Sequence, residues 1–145
     1  MIYFDNAATG GFKPDCVVSA ATAALKAGAN PGRSGHRLSI ACLERVYTVR
    51  RTLCEFFGGD SYDRVIFTKN CTEALNCAIL GTLKEGDEVV TTVAEHNSVL
   101  RPLEFLKARG VSVEYAPLNA EGELDAEAFG RLVTHKTCLL YTSPS

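Results

Sequence analysis

From Val65 onward the chain alternates short, β-branched apolar runs with segments of about ten residues at helical spacing. This order constrains the fold more than any other feature. Val65-Ile66-Phe67 reads as a strand and leads into a helix within residues 68–83 that starts with polar residues. Gly86-Asp87 turns the chain into a second strand, Glu88–Thr92, and a helix over 99–109 ends at Gly110 before a third strand, Val111–Tyr115. Asn119 to Gly122 is a turn, and Asp125 caps a short helix to Leu132. A hairpin cannot join parallel strands, so strands separated by helices imply βαβ crossovers. The expected fold is α/β: N-terminal helices, then βα units of a mostly parallel, helix-covered sheet. The leading helices run from Pro14-Asp15 to Gly28 and from about Ser39 to Phe57, with the breaker cluster of residues 30–35 between them as an ordered loop.

Composition removes several classes of function. The 145 residues are 46% hydrophobic and 22% charged, which excludes disorder and fibrous repeats. No apolar run approaches membrane-spanning length, so no membrane partner is expected. The net charge is −2 with basic residues scattered, so nucleic acid is not an expected partner either. The six cysteines form no CxxC pair and have no histidine at zinc-finger spacing, so no metal is expected. The first residues lack the basic-then-apolar pattern of a secretory signal, and the chain reads as cytoplasmic with reduced thiols.

Ligands of parallel α/β sheets bind outside the carboxyl ends of the strands, where loops feed helix N-termini. Two such loops stand out: Thr68 to Glu73, and Ala94 to Ser98. In the first, backbone N–H groups at Cys71 and Thr72, with the Thr72 hydroxyl, can hold an anion. The plainer alternative is that Asn70 or Thr72 caps the helix and Glu73 complements its dipole. The second loop carries His96, which can stack on a planar ligand or relay protons, or simply be a solvated side chain. A third loop, Asn30 to Arg37, concentrates Arg33, His36 and Arg37 among glycines; it is either an anion-recognising fork or a basic surface turn. His135-Lys136 reads as an exposed connection between a short helix and a strand. There is no Walker lysine spacing and no GxGxxG.

Four motifs in order, Tyr3-Phe-Asp-Asn-Ala-Ala-Thr9, Asn30-Pro-Gly-Arg-Ser-Gly-His-Arg37, Phe67-Thr-Lys-Asn-Cys-Thr-Glu-Ala-Leu-Asn76 and Glu95-His-Asn-Ser-Val-Leu-Arg-Pro102, resemble the class V aminotransferase-fold family, cysteine desulfurase-like branch. The resemblance implies the N-terminal part of a pyridoxal 5′-phosphate (PLP)-dependent transferase of fold type I, normally a homodimer. Such enzymes take sulfur from L-cysteine, leaving L-alanine and an enzyme persulfide that passes to a sulfur-acceptor protein. Carried onto this chain, Cys71 and Thr72 belong to the cofactor's phosphate cup. His96 stacks on its ring as a catalytic residue, and Asn6, Ala7 and Ala8 line the substrate side. Arg33 and His36 belong to a loop near the active site or the dimer interface. Selenocysteine lyase or an amino-acid epimerase of the same fold remains an alternative, as does a non-catalytic α/β anion-binding module.

The family's cofactor-bearing lysine, its ring-pairing aspartate and its persulfide-forming cysteine all belong further along than this chain reaches. Thr134-His135-Lys136 imitates the lysine segment, but no glycine-rich run follows it. None of the six cysteines inherits the persulfide role, and the 145-residue chain is expected to be inactive alone. Cys138 to Ser145, CLLYTSPS, matches the standard-code translation of a transposon-end adapter used in preparing sequencing libraries. Residues 1–137 are therefore expected to be the truncated family domain and 138–145 a non-native tail. The alternative is that Cys138-Leu-Leu-Tyr141 is the apolar strand the pattern calls for at this point.

Overall fold

A computed structural model describes residues 2–142. Ser143, Pro144 and Ser145, the end of the suspected tail, lie outside the described residues. The chain forms two compact units, divided between Ile66 and Phe67.

The first unit contains helices α1 (Asp15–Lys26) and α2 (Arg37–Phe56) and a short 3-10 turn, η1 (Tyr62–Arg64). Ahead of α1 the chain folds back on itself. The Asn6 side chain donates to the Tyr3 carbonyl (3.3 Å) and accepts from the Gly11 N–H (3.1 Å), while the Tyr3 hydroxyl donates to the Thr9 carbonyl (3.1 Å). A side chain at position 11 would have its Cβ 2.5 Å from the Tyr3 ring, so only glycine fits there. Helix α2 starts two residues earlier than its apolar spacing suggests, because His36 caps it through a bond from the Ser39 N–H (3.3 Å). Fully buried Ser39 closes the preceding loop by donating to the Asn30 carbonyl (2.7 Å).

The second unit contains α3 (Cys71–Thr82), β1 (Glu88–Thr92), α4 (Asn97–Lys107), β2 (Ser112–Ala116), α5 (Ala126–Leu132) and β3 (Thr137–Leu140). The three strands are parallel in the order β2-β1-β3, as the alternating pattern requires. β1 is central, and its residues from Val89 to Thr92 are all buried. Successive strand side chains face opposite sides. Val89 joins Ile79, Leu83, Val99, Leu103, Leu106 and Val113 in a core shared with α3 and α4. Val90 is equally buried but lies outside that cluster, and α5 packs on β1 and β2. The sheet is thus covered on both faces, a three-layer α/β arrangement.

One expectation changes. Val65–Phe67 is not a strand: its backbone is irregular, and Ile66 is 76% exposed. A strand exists through its ladder, and apolar character alone does not make one. Thr137–Leu140 forms β3, the strand expected after His135-Lys136. Its register against β1 steps from Glu88↔Thr137 to Val89↔Leu139, which leaves Cys138 as the extra residue of a bulge. His135 and Lys136 are exposed in the turn before it, as expected.

Candidate functional site

The chain runs from β1 through α4 to β2 on one side, then returns through α5 to β3 on the other side of β1. The strand order therefore reverses at β1, and the crevice beyond its carboxyl end is where such sheets take ligands. Thr92 ends β1, and His96 begins α4 four residues later.

Helices α3 and α4 lie side by side. Their N-terminal turns line a cleft of about 300 Å³ with Thr72, Asn76, His96, Asn97, Ser98 and Arg101. At the head of α3 the capping reading of the sequence holds, with Asn70 as the cap. Its Oδ1 accepts from the Glu73 N–H (2.8 Å), and Glu73 Oε2 accepts from the Lys69 N–H (2.7 Å). Capping there does not exclude anion binding. The N–H groups of Cys71 and Thr72 belong to the first turn, which has no intrahelical acceptors, and the cap uses only the Glu73 N–H.

At the head of α4, His96 is itself the cap. Its Nδ1 accepts from the Ser98 N–H (3.1 Å) and lies 2.8 Å from Ser98 Oγ. This is why α4 starts two residues ahead of its apolar pattern. Just before it, Glu95 is only 6% exposed and accepts from Thr92 Oγ1 (2.9 Å), which ties the loop to the end of β1.

Asn76 joins the two helices. Pro102 lies inside α4 and has no N–H, so the carbonyl four residues before it, that of Ser98, loses its intrahelical donor. Asn76 Nδ2 supplies the replacement from α3 (3.3 Å) while also donating to the Thr72 carbonyl (2.9 Å).

Of the residues singled out in sequence, Thr72 and His96 share this cleft. Cys71 is the exposed first residue of α3, next to Thr72. Asn6, Ala7 and Ala8, with Arg33 and His36, belong to the first unit. There the first three form the turn closed by Asn6. Arg33 and His36 lie in the loop that Ser39 closes, in which Gly32 adopts φ +78°. Sequence reasoning quoted Asn76, Ser98 and Arg101 within motifs but gave them no role. For Asn76 a signal was present: a proline inside a helical pattern leaves a carbonyl that some neighbour must satisfy. Among the described residues no cluster of three histidine, cysteine or acidic side chains could hold a metal ion, and no helix is long and apolar enough to cross a membrane.

Comparison with solved structures gives this arrangement the parallel α/β fold of cysteine desulfurases, fold type I. The apo structure of cysteine desulfurase from Thermococcus onnurineus NA1 superposes with a TM-score of 0.84 at 35% identity, over 97% of this chain and 36% of that one. A probable cysteine desulfurase of Synechocystis is 33% identical over 97% of this chain and 34% of its own length. The cysteine desulfurase of Bradyrhizobium diazoefficiens is 39% identical over 88% and 33%. The family model for aminotransferase class-V matches residues 2–145. The chain belongs to the aminotransferase class-V family, and it spans about a third of the length of these relatives.

Proposed function

We propose that this chain is the N-terminal part of a PLP-dependent cysteine desulfurase that acts on L-cysteine, yields L-alanine and passes sulfur to an acceptor protein. The observation that carries the reading is the cleft at the carboxyl end of β1. It brings Thr72 at the head of one helix together with the imidazole at the head of the next. These groups fit the cofactor's chemistry: two amide N–H groups and a hydroxyl suit a phosphate, and a flat ring suits a pyridine. When bound, PLP supplies the electron sink that lets the bond from carbon to sulfur break.

The residues of this chain then have separate tasks. The Cys71 and Thr72 N–H groups and Thr72 Oγ1 hold the phosphate. His96 offers its ring to the pyridine and its free nitrogen to proton transfer. The substrate-side role of Asn6, Ala7 and Ala8, and the active-site or dimer-interface role of Arg33 and His36, rest on the motif resemblance. So does homodimer formation, whereas the cytoplasmic location rests on the absence of a secretory pattern at the first residues and the non-native character of 138–145 on the adapter-like sequence. Catalysis also needs the cofactor-bearing lysine and the reactive cysteine that the resemblance places beyond this segment.

PLP titrated into the chain and followed by its absorbance tests the cup. Thr72→Ala removes one hydrogen bond to a charged group, so affinity falls by at least about tenfold. The 145-residue chain makes no alanine from L-cysteine, whereas a longer chain carrying the downstream lysine does. Alanine from the short chain, or cofactor uptake indifferent to Thr72, would overturn the assignment.

A further inference from the structure

The contacts of His96 decide where its proton sits. A backbone amide can only donate, and the Ser98 N–H points at Nδ1 from 3.1 Å. Nδ1 must therefore present its lone pair. Ser98 Oγ, 2.8 Å from the same nitrogen, is free to turn its proton toward it as a second donor. A neutral imidazole with Nδ1 bare carries its proton on Nε2. Ser98 is well placed to impose this state. It is only 7% exposed, its own carbonyl is held by Asn76, and its two donors converge on one ring atom.

We propose that Ser98 is a positioning residue that locks His96 as the Nε2–H tautomer. The ring then meets a ligand in the cleft as a hydrogen-bond donor and not as a base. This deepens the functional reading above and rests on it for the identity of the ligand. The only lone pair of that tautomer is already used to cap α4. Taking up a proton at Nδ1 would break the cap and set a positive charge at the positive end of the helix. In the proposed reaction, His96 therefore acts through a hydrogen bond donated from Nε2 to the bound ligand.

Nitrogen-15 NMR of the imidazole tests this on the cofactor-free chain, because protonated and bare ring nitrogens resonate far apart. The wild-type spectrum shows the Nε2–H form in excess. Ser98→Ala lowers that excess roughly fivefold, the size of one neutral hydrogen bond, and Ser98→Thr restores it. A neutral ring with its proton on Nδ1, or comparable populations of the two tautomers in the wild type, overturns the proposal. So does a Ser98→Ala spectrum identical to wild type. A chain that holds the Nε2–H form yet takes up no PLP supports the lock while sinking the functional reading, so the two fail separately.

Discussion

The bond from Asn76 to Ser98 exists because Pro102 cannot donate, and this makes it testable by a double-mutant cycle. Asn76→Ala leaves the Ser98 carbonyl without a donor, and an unsatisfied buried carbonyl costs about 1–3 kcal/mol. At 3.3 Å the bond is at the long end of the usual range, and Asn76 is half-buried, which places the cost near the bottom of that span. Pro102→Ala returns an N–H to α4 at the position that faces the same carbonyl. In that background Asn76→Ala should cost about 1 kcal/mol less than in the wild type. The other Asn76 bond, to the Thr72 carbonyl, is lost equally in both backgrounds and cancels. So does whatever Pro102→Ala does alone through buried packing and helix propensity. Equilibrium urea unfolding of the four proteins measures the coupling, provided the slope is unchanged across the set. An equal cost in both backgrounds would show that Asn76 does not stand in for the missing amide.

Three further outcomes follow from the same geometry. His96→Ala loses the cap of α4 and about 1 kcal/mol of stability, whereas His96→Asn keeps a capping oxygen and stays near wild type in urea; equal losses would refute the capping role. Glu88 accepts from Thr137 (2.8 Å) and Thr134 (3.0 Å), and these bonds hold its carboxyl below the ordinary value of 4.5. A lowered carboxyl stabilises the fold above its unfolded value and loses that contribution as pH falls through the folded one. The protection factors of the β3 amides, which divide out the intrinsic pH dependence of exchange, should therefore fall below about pH 4.5, and Glu88→Gln should remove that fall; protection factors unchanged with pH in the wild type would sink the idea. Burial, then the bond to Glu104 (2.7 Å), pushes the Tyr115 phenol up to about 12. The neutral phenol's contribution is complete below 10 and fades as pH rises through 12. Absorbance near the phenolate band should show this tyrosine ionising at lower pH in Glu104→Gln than in the wild type; no difference between the two would refute the pairing.

The parallel sheet was legible because strand and helix periods alternate within one short stretch, and each helix of the second unit falls where its apolar spacing placed it. Boundaries were less legible where a histidine does the capping. His36 and His96 each extend a helix by two residues, and histidine is not among the side chains that announce a cap. Val65–Phe67 misled because an apolar run states a wish for burial without naming the strand beside it. The loops of the site were readable from the rule about strand ends, and Thr72 and His96 do share a cleft. Pro102 signalled that the Ser98 carbonyl would need a donor, but not that Asn76 would supply it, because that partner lies on a different helix. Only the contact between helices reveals which side chain answers it.

The strand order β2-β1-β3 also sets a sequence of events in time. β1, α4 and β2 are contiguous, so their pairing closes only short loops and can form as soon as residue 116 is available. The other edge of β1 must wait for Thr137 and the residues after it. Until then the central strand carries an open ladder of amides and carbonyls, which another chain could capture. During synthesis that interval lasts on the order of seconds at ordinary elongation rates. The Glu88 contacts with Thr134 and Thr137 hold the start of β3 to the start of β1, so they act as a latch on the edge that closes last.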